Sequence, residues 1–366
     1  MTEISYTTRE AVAACLDTKL TARIATVVDG AAAAATGSIE GLCHRRFYPE
    51  LRTMTFDWPD RQSPTSWRLW LDANELISVT SLTAGGVVVP ASDYLLRPDD
   101  RPPYTRVEID LSSSAAFSSG DTHQRAISIT GLFGYRADEA TAGTTAASVG
   151  TTSTTTVDVS DSSGVGVGDL LRVDSERMTV TGRSALDTGQ DLTTTLDADV
   201  GDETFGVASG VAVAVGETVL VDSERMVVED VAGNTLVVAR GADGTTVAAH
   251  SIGASVYAPR RLTVVRGVLG TTAAAHLSGA AVYRHLPPPL VRELATEEAI
   301  TSVLEKVTGL ARVVGEYSGR LGRSDTVTAG YGQTSDKKRD AVGRGLSAIR
   351  ADCYAEHGRK LRSRAV

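Results

Sequence analysis

The middle of this chain repeats itself, and the repeats constrain its fold more than any other feature. Val165–Val180 (VGVGDLLRVDSERMTV) returns as Val213–Val228 (VAVGETVLVDSERMVV), 48 residues later. Arg240–Tyr257 (RGADGTTVAAHSIGASVY) returns as Arg266–Tyr283 (RGVLGTTAAAHLSGAAVY), 26 residues later. Recurrence of this kind marks one supersecondary unit used more than once. Each unit alternates apolar and polar residues between glycine turns, the period of a β-strand. Residues 156–286 are therefore expected to form an all-β domain of hairpin-scale repeats. Duplicated β units that stack or exchange strands are a structural device, and active sites are not usually built this way.

The flanks differ. In residues 1–50, Thr7-Thr8-Arg9-Glu10 has the form of a capping box, with a short helix following through Leu16. Ile24, Val27, Val28, Ala31, Ala35, Ile39 and Leu42 then recur at helical spacing, predicting a helix from Thr21 to Arg46 that Pro49 terminates. The nearly bulk-free run Ala31–Ala35 would let another helix approach closely. Residues 51–137 switch to short aromatic and β-branched runs, Arg52–Trp58, Trp67–Leu71, Glu75–Leu82, Val87–Val89, Thr105–Leu111 and Arg125–Tyr135, separated by turn residues such as Gly85-Gly86. They read as a small antiparallel β domain. Residues 138–155, rich in Thr, Ala, Ser and Gly, have the composition of a linker. After Pro287-Pro288-Pro289, residues 287–366 return to helical spacing, with Ile300, Val303, Leu304, Val307 and Leu310 on one face. Gly315–Gly332 reads as a glycine-rich strap, and a last helix from about Ser335 carries Val342, Leu346, Ile349 and Tyr354. The expected fold class is thus α+β: a helical bundle formed by the two ends, a small β domain and an inserted β-repeat domain.

At 366 residues the chain exceeds one ordinary core. Its net charge of −9 argues against a whole-chain reader of DNA sequence. The charge is uneven. From Lys337 onward nine basic residues face only Asp340, Asp352 and Glu356, leaving a basic tail suited to an acidic surface or to phosphates. The three cysteines, Cys15, Cys43 and Cys353, form no CxxC pair, so neither a disulfide framework nor a zinc site is indicated, and burial as small apolar residues is expected. No secretory leader or membrane-length apolar run is present in the sequence, so synthesis in a reducing cytoplasm is expected.

Chemical motifs are scarce. The six histidines include no HExxH spacing. His250 and His276 occupy equivalent places in the repeats and read as turn residues copied with them. Asp174-Ser175-Glu176 and Asp222-Ser223-Glu224 offer two similar environments rather than the two different ones that acid–base pairs require, and read as polar turns. The carboxylates of Leu196–Glu203 are in the wrong register for a calcium loop. Gly164–Gly168 precedes no helix that could offer its N-terminus to a phosphate. The repeats lack Trp, which disfavours carbohydrate stacking. No catalytic residue, cofactor or metal is expected, and Arg45-Arg46-Phe47-Tyr48, closing the long helix, are candidates for contact between subunits.

Ile39–Pro49 (IEGLCHRRFYP), followed by Thr55–Pro59 (TFDWP) and Ser128–Tyr135 (SITGLFGY), resembles the head–tail connector, or adaptor, proteins of long-tailed phages. The resemblance covers about the first 137 residues and extends loosely to the closing helices. It implies a structural virion protein of the neck: a homo-oligomeric ring of about twelve subunits beneath the portal protein, joined to a tail-side neck or tail-terminator protein. DNA would pass through its lumen without specific binding. It also implies portal contact by the C-terminal segment, with Arg350, Arg359, Lys360, Arg362 and Arg364 as the candidates here. The repeat domain is a departure from the small members of the family. Another phage structural role, in tail completion, the tail tube or decoration, is the alternative.

Overall fold

The computed structural model describes residues 4–16, 22–59, 66–308 and 345–359. These residues are mostly β, arranged in a ten-stranded, a four-stranded and a three-stranded sheet with four α-helices. This corrects the expected α+β fold organised on a connector-type helical bundle. The reason lies in residues 138–286, which hold ten strands, one of them inside the stretch read as a linker, so β structure supplies the largest unit.

The helices are α1 (Arg9–Leu16), α2 (Ala22–Cys43), α3 (Pro289–Thr308) and α4 (Leu346–His357). On α2, Val28, Ala31, Ala32, Ala35 and Ile39 are buried, with α3 contributing Val291, Leu294, Ala295, Ala299, Ile300 and Val303 to the same cores. The alanines let α3 lie close, and α4 adds Ile349 and Cys353. Cys43 and Cys353 are buried with their sulfurs 3.9 Å apart, whereas Cys15 is exposed, against expectation. The capping box also forms differently. Thr8 Oγ1 accepts from the Ala11 amide at 3.1 Å, while Glu10 turns away and accepts from the Val167 amide at 2.8 Å.

The four-stranded sheet has the order β1 (Glu50–Phe56), β7 (Ile127–Phe133), β3 (Leu76–Ala84) and β4 (Val87–Val88). β2 (Arg68–Trp70), β6 (Arg106–Ile109) and β5 (Tyr94–Arg97) form the three-stranded sheet. Strict alternation on β7 buries Ile127, Ile129 and Phe133 against Leu69, Leu71, Leu76, Leu82 and Val107 in one shared core. Strand β5 escaped the sequence reading because Tyr94–Arg97 shows little alternation.

The ten-stranded sheet is two copies of one module, nested. The proximal module uses β8 (Glu139–Thr144), β9 (Thr156–Asp158), β10 (Leu170–Val173), the first half of β11 (Glu176–Asp191), the second half of β16 (Ser255–Val265) and β17 (Ala281–His285). The distal module uses the other halves of β11 and β16 with β12 (Thr204–Gly206), β13 (Thr218–Val221), β14 (Glu224–Ala232) and β15 (Thr235–Ala239). Their registers superpose pair for pair. Thr179↔Val265 and Val180↔Val264 match Val227↔Ala239 and Val228↔Val238, and both copies then carry a bulge at the next step. Where β14 and β15 close at Gly233-Asn234, the equivalent strands β11 and β16 continue outward as the stem of the distal module. The 48- and 26-residue spacings are thus the two arms of a hairpin inserted into a hairpin. The expected linker supplies β8, paired with β17, and a buried Val149 bridged to His276.

Candidate functional site

The turns read as polar and solvated enclose the most organised chemistry among the described residues. A type of turn with a left-handed residue, Asp174 (φ 51°) or Asp222 (φ 50°), reverses each module's central hairpin and brings the following glutamate inward. Glu176 and Glu224 have fully buried side chains. Glu224 accepts from Arg240 Nε (2.7 Å) and Nη2 (2.8 Å), from the amides of Gly241 (3.0 Å) and Ala248 (2.9 Å), and from His250 Nε2 (3.0 Å). Glu176 repeats the set with Arg266 (2.6 Å twice), Gly267 (3.0 Å), Ala274 (2.9 Å) and His276 (2.8 Å). The second nitrogen of each imidazole reaches the flanking aspartate, at 2.8 Å for His250–Asp222 and 2.7 Å for His276–Asp174.

Burial alone would raise both glutamate pKa values. The bidentate arginine, the amides and the histidine outweigh it and hold each at about 2. Each arginine also donates to loop carbonyls, Arg240 to Asp197 and Asp202, Arg266 to Thr154. The cluster therefore knits three loops to one carboxylate. Its bonding capacity is spent on internal partners, and the carboxylates and imidazole bond one another instead of converging on a shared vacant point. Among the described residues no group of three His, Cys, Asp or Glu side chains could hold a metal ion.

A second organised region is the junction reached by the resembling segment. Phe47 is fully buried, its ring meeting Tyr6 (5.7 Å), Tyr135 (5.2 Å) and His357 (5.8 Å) between centroids. Its amide donates to Tyr6 Oη at 2.8 Å, and its carbonyl accepts from His285 Nε2 at 2.7 Å. The Tyr6 hydroxyl donates to Glu40 at 2.8 Å, and burial followed by that carboxylate raises its pKa well above the ordinary value. Thus one residue ties together the N-terminal segment, β7's exit, the end of β17 and α4.

Of the candidate intersubunit residues, Phe47 is core within its own chain. Arg45 pairs with Glu75 at 3.1 Å and lies over the Tyr135 ring, and Tyr48 is half-buried. Arg46 alone of the four has a side chain more than half exposed, paired loosely with Glu50 at 3.2 Å. A cleft of about 350 Å³ is lined by Glu40, Arg45, Arg46, Tyr48, Arg52 and Glu75. Among the portal candidates, Arg350 is engaged by Glu298 and Ser38, and Arg359 donates to the Ala73 carbonyl beside that cleft. Lys360, Arg362 and Arg364 lie outside the described residues, as does Gly315–Gly332. No helix is long and apolar enough to cross a membrane among the described residues.

Sequence reasoning missed the charge clusters because it assigned isolated polar residues to solvent. The signal was present: Val-Asp-Ser-Glu-Arg-Met, Arg-Gly, Gly-Thr-Thr and Ala-Ala-His are identical in both copies, which is more polar identity than solvated turns require. Comparison of the chain with family models, with curated proteins and with solved structures gave no match in any of the three.

Proposed function

We propose that this chain is a non-enzymatic structural protein of a phage virion, a head–tail connector that forms a ring beneath the portal and receives the tail. The observation that carries the reading is the junction. The segment resembling connectors, Ile39–Pro49, is where both ends of the chain and both β regions are tied, through Phe47 and its partners. The proposal rests on that segment and not on a helical-bundle architecture. The spent chemistry of the twin clusters supports a structural role, since a carboxylate with five internal donors has little capacity left for substrate. The predominance of β structure favours, as a second reading, another virion position such as tail completion, tail tube or decoration.

The virion neck would be its location, with the portal and a tail-side protein as partners, DNA as passing cargo and no cofactor. An acidic conduit suits DNA passage, because each phosphate contact would add affinity that impedes sliding. Mixing the purified protein with its cognate portal and imaging by electron microscopy tests this, beside a truncation ending at Gly332. A ring on one pole of the portal, lost on truncation, is the expected result. Bare portals together with decorated capsids or tails would overturn the connector assignment and favour the second reading.

A further inference from the structure

The proximal module is anchored to the rest of the protein through two loops, and the distal module carries the same two loops, which bond no segment outside the β modules among the described residues. In the first, the Val167 carbonyl accepts from the Arg9 amide at 3.0 Å, the Gly168 carbonyl accepts from the Ser5 amide, and Val167 is buried beneath this segment. In the second, the Leu269 carbonyl accepts from the Leu51 amide at 2.9 Å, capping β1, one edge of the four-stranded sheet.

The distal counterparts keep the backbone. Asp243 (φ 53°) stands where Leu269 (φ 54°) does, between Gly241 and Gly244 at positive φ like Gly267 and Gly270. Thr245 binds the Arg225 amide as Thr271 binds the Arg177 amide. Yet Val215, the counterpart of buried Val167, is 54% exposed, and neighbouring Val211 is 95% exposed. One anchor has been altered: Ala214 replaces Gly166, where a methyl group would stand under 3 Å from Thr8 and Glu10. A helix start like α1 could not seat there as closely. The strand-edge anchor retains its geometry.

The same sheet that offers β1 to the proximal loop has a second edge, β4. Among the described residues it pairs on one side only, and Val87 and Val88 are 66% and 65% exposed. We propose that the distal loops, Gly210–Gly216 and Gly241–Thr245, dock on the open β4 edge of a second copy of this chain. The sheet would then be capped at one edge by its own proximal module and at the other by a neighbour's distal module. Val211 and Val215 would cover Val87 and Val88, and the Asp243 carbonyl would take a strand amide as the Leu269 carbonyl takes that of Leu51. Because different surfaces meet, the contact is heterologous and propagates from copy to copy until it closes. This inference goes beyond the connector reading and needs no portal, so the two can fail separately.

The full-length protein alone provides the test, by sedimentation velocity over a concentration series. Wild type is expected to self-associate. V211D/V215D and V87D/V88D should each weaken that association tenfold or more, while Leu277→Asp, at an exposed site of the proximal module, should not. In a Cys15→Ser background, D243C mixed with V88C should give disulfide-linked dimers on oxidation, and neither alone should do so. A wild type that stays monomeric, association indifferent to the valine changes, or absence of the D243C–V88C crosslink would each overturn the proposal.

Discussion

The proximal and distal modules are nearly the same object in two settings, and their differences show what anchoring demands of a β unit. Both keep the Glu–Arg–His cluster, because without it three loops would lose their common tie. They diverge where the proximal copy touches other parts of the chain. Gly166 becomes Ala214, Val268-Leu269 becomes Ala242-Asp243, and Arg183, which pairs with Glu10 at 3.4 Å, becomes Val231. Module integrity and module placement are thus encoded by separate residues.

The sharpest way to break the parallel is to remove the buried glutamates. Glu176→Ala and Glu224→Ala each strand a buried arginine, a loss of about 3–5 kcal/mol by analogy with other broken buried pairs. Chemical denaturation with hydrogen exchange should show E224A loosening the distal module alone, and E176A loosening the proximal module together with its contacts to α1 and β1. Acid should act in the same direction on both. With folded pKa values near 2, below the ordinary carboxylate value, the clusters contribute fully above about pH 4.5, and that contribution fades as the pH falls toward 2.

Asp169 and Glu217 occupy the same repeat position with opposite electrostatics. Burial pushes the Asp169 pKa up to about 6, Arg284 at 3.9 Å compensating only partly. Glu217 is held below its ordinary value, since Arg260 at 2.6 Å, the amides of Ser162 and Ala214 and the Ser162 hydroxyl outweigh burial. An acid with a raised folded pKa costs stability once it ionises, so the penalty from Asp169 appears as pH rises from about 4 to 6. It amounts to about 3 kcal/mol on the scale of 1.4 kcal/mol per pKa unit. Asp169→Asn should therefore stabilise at pH 7.5 and flatten the stability profile between pH 4 and 6, whereas Glu217→Gln should destabilise at pH 7.5. Thermal melts across this range check both signs.

Exchanging the divergent glycine should have a smaller effect. Gly166→Ala places a methyl 2.5–2.8 Å from Glu10 and Thr8 and should cost about 1–3 kcal/mol, typical of overpacking. Ala214→Gly should change thermal stability by less than about 1 kcal/mol. The smallest effect is expected at the distal tip. A short Gly-Ser insertion between Gly233 and Asn234 lengthens the closing turn ahead of Asn234, which keeps its bonds to Ala208 and Gly210, and should lower stability by less than about 1 kcal/mol.

How far these relations were legible depended on what the sequence repeats and what it merely tolerates. The copied segments 165–180 and 240–257 announced a β duplication, but not its extent, because pairing register rather than residue identity defines the rest of the module. Thr, Ala and Ser dominate 138–155, and β8 buries little beyond Ala142, so its composition resembled a linker. Long helical periodicities at both ends drew attention to a bundle, while strands of three to five residues gave weak individual signals. Phe47 was singled out by its motif, yet its burial depends on Tyr6, Tyr135, His285 and His357, which are scattered along the chain.

The nesting of one hairpin inside another also dictates an order of assembly. β14 meets β15 across a two-residue turn, but β11 can zip to β16 only after the entire distal module has been synthesised, and β8 can meet β17 only after both. Loop-closure entropy makes the innermost pairing the cheapest to begin, and each completed unit shortens the effective loop for the next. The chain is therefore expected to fold from tip to root, with the part farthest from the junction finished first and the helices that flank the β modules brought together last.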